Sequence, residues 1–209
     1  MKYLKIINTV AMMIVLMFLL FSSACSNDDS ETINSQTSIA LSQIEKDALL
    51  FMMEEERLAK DVYDRLFAVW GINQFENIAK SEQSHMDAVE NLLKQYNLPY
   101  TILDAGTFQN TDLQAAYDIL VAQGEVNIIG ALTSGATIED LDIYDLEEWM
   151  TKIENAEVLN VFTKLQCGSR NHLRAFIGSL DLSGEIYTPK FITLTEYEQI
   201  INSENEKCN

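Results

Sequence analysis

Two histidines occur in the chain, His85 and His172. Each stands in an apolar stripe of helical period, close to residues able to share a ligand with it. Glu82 precedes His85 by three positions, Glu139 precedes Asp142 by three, and Glu56 interrupts a further stripe. Residues three apart on a helix share a face, so Glu82 with His85, and Glu139 with Asp142, can each grip one cation. Carboxylates and imidazoles suit iron, manganese or zinc, and the absence of a thiol from the set disfavours soft-metal sites. Buried charge is costly unless paired or bound to a cation. A cation shared by several helices therefore accounts for acids on faces that otherwise point at a core. Glu56, Glu82, His85, Glu139, Asp142 and His172 are enough ligands for two ions, with Glu82 the natural bridge.

Each residue has a blander role to set beside this one. Asp140 and Asp145 offer other registers for the Glu139 and Asp142 pair, and His172 alone is equally a core histidine bonded to Glu or Tyr. Glu54 and Glu55 are expected to be solvated, as most helical acids are. Tyr63 either lines the site or fills the core. Arg170 and Arg174 either pair with buried acids or form surface ion pairs.

The elements that must position these residues are helices. From residue 42 onward the apolar pattern steps by three and four, and the chain has only two prolines. A first helix is predicted from about Ser42, as N-cap, to Val69, ended by Trp70-Gly71. A second runs from about Gln74 to Tyr96, a short one from Thr111 to Gln123, a third long one from Val126 to Ile153, and a fourth from Ala156 to Leu180. Residues 98–111 and the short helix form a crossover long enough to span a bundle. Gly184 to Thr193 should lie extended, followed by a last short helix from Leu194 to Asn202. The expectation is all-α: a four-helix bundle over residues 42–203 with a long crossover and a short extra C-terminal segment, then a tail, 204–209.

Ahead of the bundle, Met1 to Ala24 reads as an export signal, with Lys2 and Lys5 before the apolar run Ile14 to Phe21. Ser22-Ser23-Ala24-Cys25 is similar to a bacterial lipobox, which implies lipidation of Cys25. An ordinary signal peptide and a membrane-spanning anchor are the alternatives, the latter opposed by a short stretch with no basic stop-transfer cluster. Residues 25–41 are polar and expected to be a disordered tether. Its Ser26-Asn27-Asp28-Asp29 start resembles the acidic stretch of some Gram-negative surface lipoproteins. The localisation that follows is the bacterial cell envelope, lipid-anchored at the outer membrane or periplasmic face. Net charge is −18, and −20 once Lys2 and Lys5 are removed with the leader. Such a surface repels nucleic-acid phosphate. Cys167 and Cys208 are either a disulfide tying the tail to the last long helix, which an oxidising compartment permits, or two free thiols.

The ligand pattern resembles the ferritin-like superfamily. There one helix carries Glu-x-x-Ala-x-x-x-Tyr, matched by Glu56, Ala59 and Tyr63; the next carries Glu-x-x-His, matched by Glu82 and His85. A third carries Glu-x-x-Glu in the rubrerythrin-like branch, matched by Glu139 and Asp142. The fourth carries a second Glu-x-x-His, and here Ser169 replaces the glutamate while His172 is kept. More narrowly, Glu54-Glu55-Glu56-Arg57-Leu58-Ala59-Lys60-Asp61-Val62-Tyr63, Asn77 to His85 and Gly168 to Phe176 resemble the bacterial family DUF2202. The resemblance implies a carboxylate-bridged centre, di-iron first and manganese or zinc next, with Tyr63, Ser169 and Arg170 around it. Its implied partners are metal ions and oxygen or peroxide. Three function classes follow: redox chemistry on iron, oxygen or peroxide; metal binding or sensing without turnover; and a bundle whose polar residues satisfy one another.

Overall fold

The computed structural model describes residues 40–208. The leader, Cys25 and nearly all of the tether lie outside the described residues. Among the described residues there are six helices and no strand: α1 (Gln43–Trp70), α2 (Asn73–Gln95), α3 (Thr111–Gly124), α4 (Ile128–Met150), α5 (Ala156–Leu182) and α6 (Leu194–Ile201). None is long and apolar enough to cross a membrane.

Local chemistry fixes the helix ends. Ser42 and Glu45 form a reciprocal capping box on α1, satisfying donors that a helix start leaves free. Gly71, at φ +63°, closes α1 in the left-handed region that glycine enters without a Cβ penalty. Asn110, Asn127 and Asn155 cap α3, α4 and α5 with their side chains. The Asn127 cap, accepting from the Gly130 amide at 2.7 Å, starts α4 two residues later than the periodicity predicts.

The four long helices form a ring of contacts. α1 packs on α2 and α4 on α5, with α1 touching α4 and α2 touching α5, while α3 lies against α1 and α4. Two residues join α1 to α2, so they run as a hairpin; Glu56, 14 residues before Trp70, and His85, 12 after Asn73, come to similar height. The crossover is pinned to α1 by side chains. Arg57 is buried, donates to the carbonyls of Leu103 and Thr107, and stacks 4.5 Å from the Phe108 ring centre. Glu54 accepts from the Gln109 and Asn110 amides at 2.7 and 2.8 Å, and Asp61 from Gly106 at 2.9 Å.

Asp140 resolves the register of α4. It is fully buried, and its carboxylate accepts from the Tyr187 hydroxyl (2.7 Å) and the amides of Lys190 (2.5 Å), Phe191 (3.3 Å) and Ile192 (3.0 Å). It therefore latches the extended 184–193 segment to α4. Hydrogen bonds to a charged group contribute about 1.5–3 kcal/mol each at most, and orphaned buried donors add a penalty. Asp140→Ala is expected to destabilise the domain by about 3 kcal/mol without changing its metal content. Urea unfolding paired with elemental analysis checks both halves.

The tail does not hang free. Cys208 is disulfide-bonded to Cys167, 41 residues earlier, a closure that contributes about 4 kcal/mol in the chain-entropy account. Glu206 pairs with Arg170 (2.6 Å) and Arg174 (2.7 Å), and these hydrogen bonds hold its carboxyl down at about 2. Arg170 also donates to Gln166 at 2.8 Å. Both arginines thus serve the tail, and the hydrogen bonds of Arg170 go to Glu206 and Gln166. Glu206 is thus held on α5.

Candidate metal centre

The buried hydrophobic residues divide into two clusters stacked along the bundle. One holds Leu58 to Leu66 of α1, Phe75 to Ala79 of α2, Ala131 to Ile143 of α4 and Leu173 to Leu180 of α5. The other holds Leu41 to Met53, Met86 to Leu93, Leu146 to Ile153 and Val158 to Leu165. On every long helix the changeover falls near the polar residues singled out above: Glu56, then Glu82 and His85, then Glu139 and Asp142, then Ser169 and His172. Four helices thus place their hydrophilic groups at one level, sealed above and below by apolar packing. Tyr63, Phe75 and Phe176 form one lid, with ring centres 5.4 to 6.2 Å apart.

Two acid–histidine triads meet there: Glu56, Glu82 and His85, and Glu82, Glu139 and His172. Glu82 belongs to both. Its Oε2 lies 2.8 Å from His85 Nδ1, and its Oε1 lies 2.8 Å from His172 Nδ1. His85 Nδ1 is also 3.0 Å from Glu56 Oε2, and His172 Nδ1 3.5 Å from Glu139 Oε2. The imidazoles stack with centres 5.7 Å apart. Asp142 stands beside the triads rather than within them: its Oδ2 accepts from Ser169, and its Oδ1 has no partner. Tyr63 donates to Glu139 Oε1.

These residues fit a cation. Glu56 Oε1, Glu82 Oε1, Asp142 Oδ1 and His172 Nδ1 are buried without a hydrogen bond. Glu82 Oε1 and His172 Nδ1 are close, yet their angle does not make one. Buried polar atoms are normally partnered, and a cluster of them converging from four helices suits a shared ion. The ligand atoms are all hard or intermediate, as iron, manganese and zinc require.

The electrostatics agree. Burial pushes the Glu56 carboxyl up to about 7, against the pull of His85. Burial also opposes ionisation of Glu82, but His172 and His85 together hold that carboxyl far below its ordinary range. Burial works against a charge on His172, yet Glu82 and Glu139 raise it to about 10. His85 is raised likewise by Glu56 and Glu82 in spite of burial. Asp142 is pushed well up by burial and by Glu56 and Glu139, and burial raises Glu139 although His172 opposes it. Without metal, the two imidazoles favour an ionised Glu82, while burial favours the neutral forms of Glu56, Glu139 and Asp142.

Support for the ligands comes from residues that periodicity does not mark. Ser81 Oγ lies 3.0 Å from His172 Nε2 and fixes the ring from outside, the role second partners of metal-binding histidines play. Gly168 makes room for His85: a Cβ there would meet His85 Nε2 at 2.5 Å and Cε1 at 2.6 Å. Held on its other side by Glu56 and Glu82, the ring cannot yield without leaving the centre. Gly168→Ala is expected to weaken metal binding by about 10–100-fold, the usual cost of disturbing ligand support. Gly178→Ala, on the same helix with nothing within 4 Å of the new methyl, should bind as before and gain about 0.5–1 kcal/mol in stability. Metal titrations and melts of the two variants check this.

Glu55 overturns an expectation. It is 2 % exposed, not solvated, and faces Asp145 and Asp142. Glu54, too, is bound to the crossover. A second stripe carried the signal: Met52, Glu55, Ala59, Val62 and Leu66 are spaced by three and four, and all are buried. The first helix has a wider buried face than one seam, because it packs on both α2 and α4.

Six helices bundled around two acid–histidine triads, which share Glu82 and could hold metal, mark this as a helical protein with a candidate metal centre. Residues 45–204 match the family model described as an uncharacterized protein domain, DUF2202, and the chain belongs to that family. It is 46 % identical over 179 residues to the uncharacterized protein MJ0754 of Methanocaldococcus jannaschii, a match covering 85 % of this chain and 97 % of that protein. The crystal structure of hypothetical protein MJ0754 aligns with a TM-score of 0.78 at 47 % identity, covering 79 % of this chain and 96 % of that one. Neither description carries an activity.

Proposed function

We propose that this is an envelope-anchored, ferritin-like metal protein whose two triads hold a pair of ions, iron foremost, for redox chemistry on iron, oxygen or peroxide. The observation that carries the reading is Glu82, which presents one carboxylate oxygen to each histidine's Nδ1 at 2.8 Å. That is the arrangement a bridging ligand needs. Glu56 and His85 would complete one ion's protein ligands, and Glu139 and His172 the other's, with Asp142 adjacent. Bound iron would supply electron transfer and Lewis acidity. The chain's own part is to hold that chemistry in a core closed above and below by apolar side chains. Tyr63, buried and donating to Glu139, keeps its phenol proton far above the usual range, through burial and the Glu139 and Glu82 charges.

Ser169 favours a second reading, metal binding or sensing without turnover. Where the resembled superfamily has a second bridging carboxylate, this chain has a hydroxyl engaged with Asp142, so less negative charge is available to follow a change in metal oxidation state. Elemental analysis of the natively produced protein tests both readings, and metal-free native protein would overturn them. Oxygen or peroxide consumption by the iron-loaded protein separates the two.

The envelope location rests on the first 25 residues and is supported by the Cys167–Cys208 disulfide, a bond that persists in oxidising compartments. Cys25→Ala should move the processed protein from the membrane to the soluble fraction. Continued fractionation with lipid after leader cleavage would refute lipidation.

A further inference from the structure

Beside the two triads lies a set of acids that they do not use. Glu55 precedes Glu56, and one residue turns an α-helix by about 100°, so the two carboxyls leave α1 on different sides. Glu56 points to His85 of α2, whereas Glu55 points to α4. Both Glu55 oxygens are buried and without a hydrogen-bond partner, as is Asp142 Oδ1. The charged groups that act most strongly on Glu55 are acids, Asp142, Asp145 and Glu56, which together with burial push its carboxyl well up. Burial falls away in one direction. Asp142 and Glu55 are buried, Asp145 is half-buried, and Glu148, which acts on Asp145, is exposed. A stair of carboxylates thus descends from solvent to the centre along the α1–α4 face.

We propose that Asp145, Glu55 and Asp142 form a transit position for a divalent cation, the step by which an ion passes between solvent and the two triads. Both Glu55 oxygens and Asp142 Oδ1, hard ligands buried without a protein partner, suit a hydrated divalent ion shedding water in stages. The competing use of the same atoms is a proton shared between Glu55 and Asp145, which would hold the pair together with no part in metal traffic. The proposal rests on the reading that the triads bind metal.

A residue that lines a path changes entry and exit alike and leaves the equilibrium where it was, whereas a ligand mainly changes exit. The test loads cobalt(II) into the full chain after chelator stripping, following its visible absorption by stopped flow, then follows release into excess chelator. Glu55→Gln keeps the shape and can still hydrogen-bond Asp145; Asp145→Asn, at a half-buried position, gives an independent variant. Glu76→Gln, at an exposed ion pair with Lys80, is the control. Both stair variants should load and release about tenfold or more slowly, in keeping with the size of carboxylate focusing on ion entry. Their final cobalt content and dissociation constant should match the unaltered chain. Unchanged rates in Glu55→Gln and Asp145→Asn would overturn the transit position and favour the shared proton. Faster release with lost cobalt would overturn it too, making Glu55 a ligand of the centre. Failure of the unaltered chain to load would instead overturn the metal reading beneath it.

Discussion

Glu82→Ala is expected to strip the protein of most of its metal, lowering affinity by at least about 100-fold, beyond the cost of losing only a supporting partner. The reason is geometric. Glu82 is common to both triads, and its two oxygens face His85 and His172 at 2.8 Å each, so one truncation removes a ligand from both positions. Glu56 or Glu139 truncation removes a ligand from one triad and should cost less. The helix itself should survive, since alanine favours it, although the two histidines lose the carboxylate that lies between them. A fair control is an exposed acid such as Glu76. Glu55, the obvious neighbour to choose from the sequence, is unsuitable because it is buried against Asp142 and Asp145. Elemental analysis of folded Glu82→Ala beside the unaltered protein decides the matter: equal, stoichiometric metal in both would remove the proposed centre.

Metal affinity should climb steeply with pH, and so should the stability gained from metal. Ligands bind in deprotonated form. In the metal-free protein His172 holds its proton up to about 10 and Glu56 up to about 7. Each is raised above its ordinary value, so the folded state binds the extra proton. For Glu56 the associated stability is present below about 4.5 and lost as pH rises through about 7; for His172 it is present below about 6.5 and lost as pH rises through about 10. The metal-free bundle therefore weakens with rising pH over these windows, while a cation replaces the departing protons. Each proton released on binding should raise affinity about tenfold per pH unit. The melting-temperature gap between loaded and stripped protein should widen from pH 6 to 9, roughly the span these two groups titrate across. A gap independent of pH would show that binding displaces no proton, and would exclude these two groups as ligands.

Much of this was legible before any coordinate. The three-and-four periodicity specifies long helices because only one face of each meets a core, and capping residues such as Ser42 and the glycine at position 71 mark their ends. Glu82 with His85 could be paired from spacing alone, since three residues on a helix fix a common face. What periodicity cannot supply is the neighbour. Asp140 and Asp142 lie two apart, and only the packing of the 184–193 segment makes the first a latch and leaves the second beside the metal ligands. The pairing of Cys167 with Cys208, and of Arg170 with Glu206, depends on where the tail returns.

Glu55 shows the limit most plainly. A run of three glutamates reads as one solvated and one buried face when a helix has a single partner, but α1 packs against α2, α3 and α4, so the adjacent Glu55 and Glu56 are both buried, on different sides. Nothing in the spacing of α5 marks Gly168, whose missing side chain leaves room for the His85 ring. Shared helix faces and the residue types able to bind a cation follow from local geometry and chemistry, and so are readable along the chain. Which faces meet depends on packing between helices, and it is packing that sets Glu82 between both histidines while Asp142 turns to Ser169.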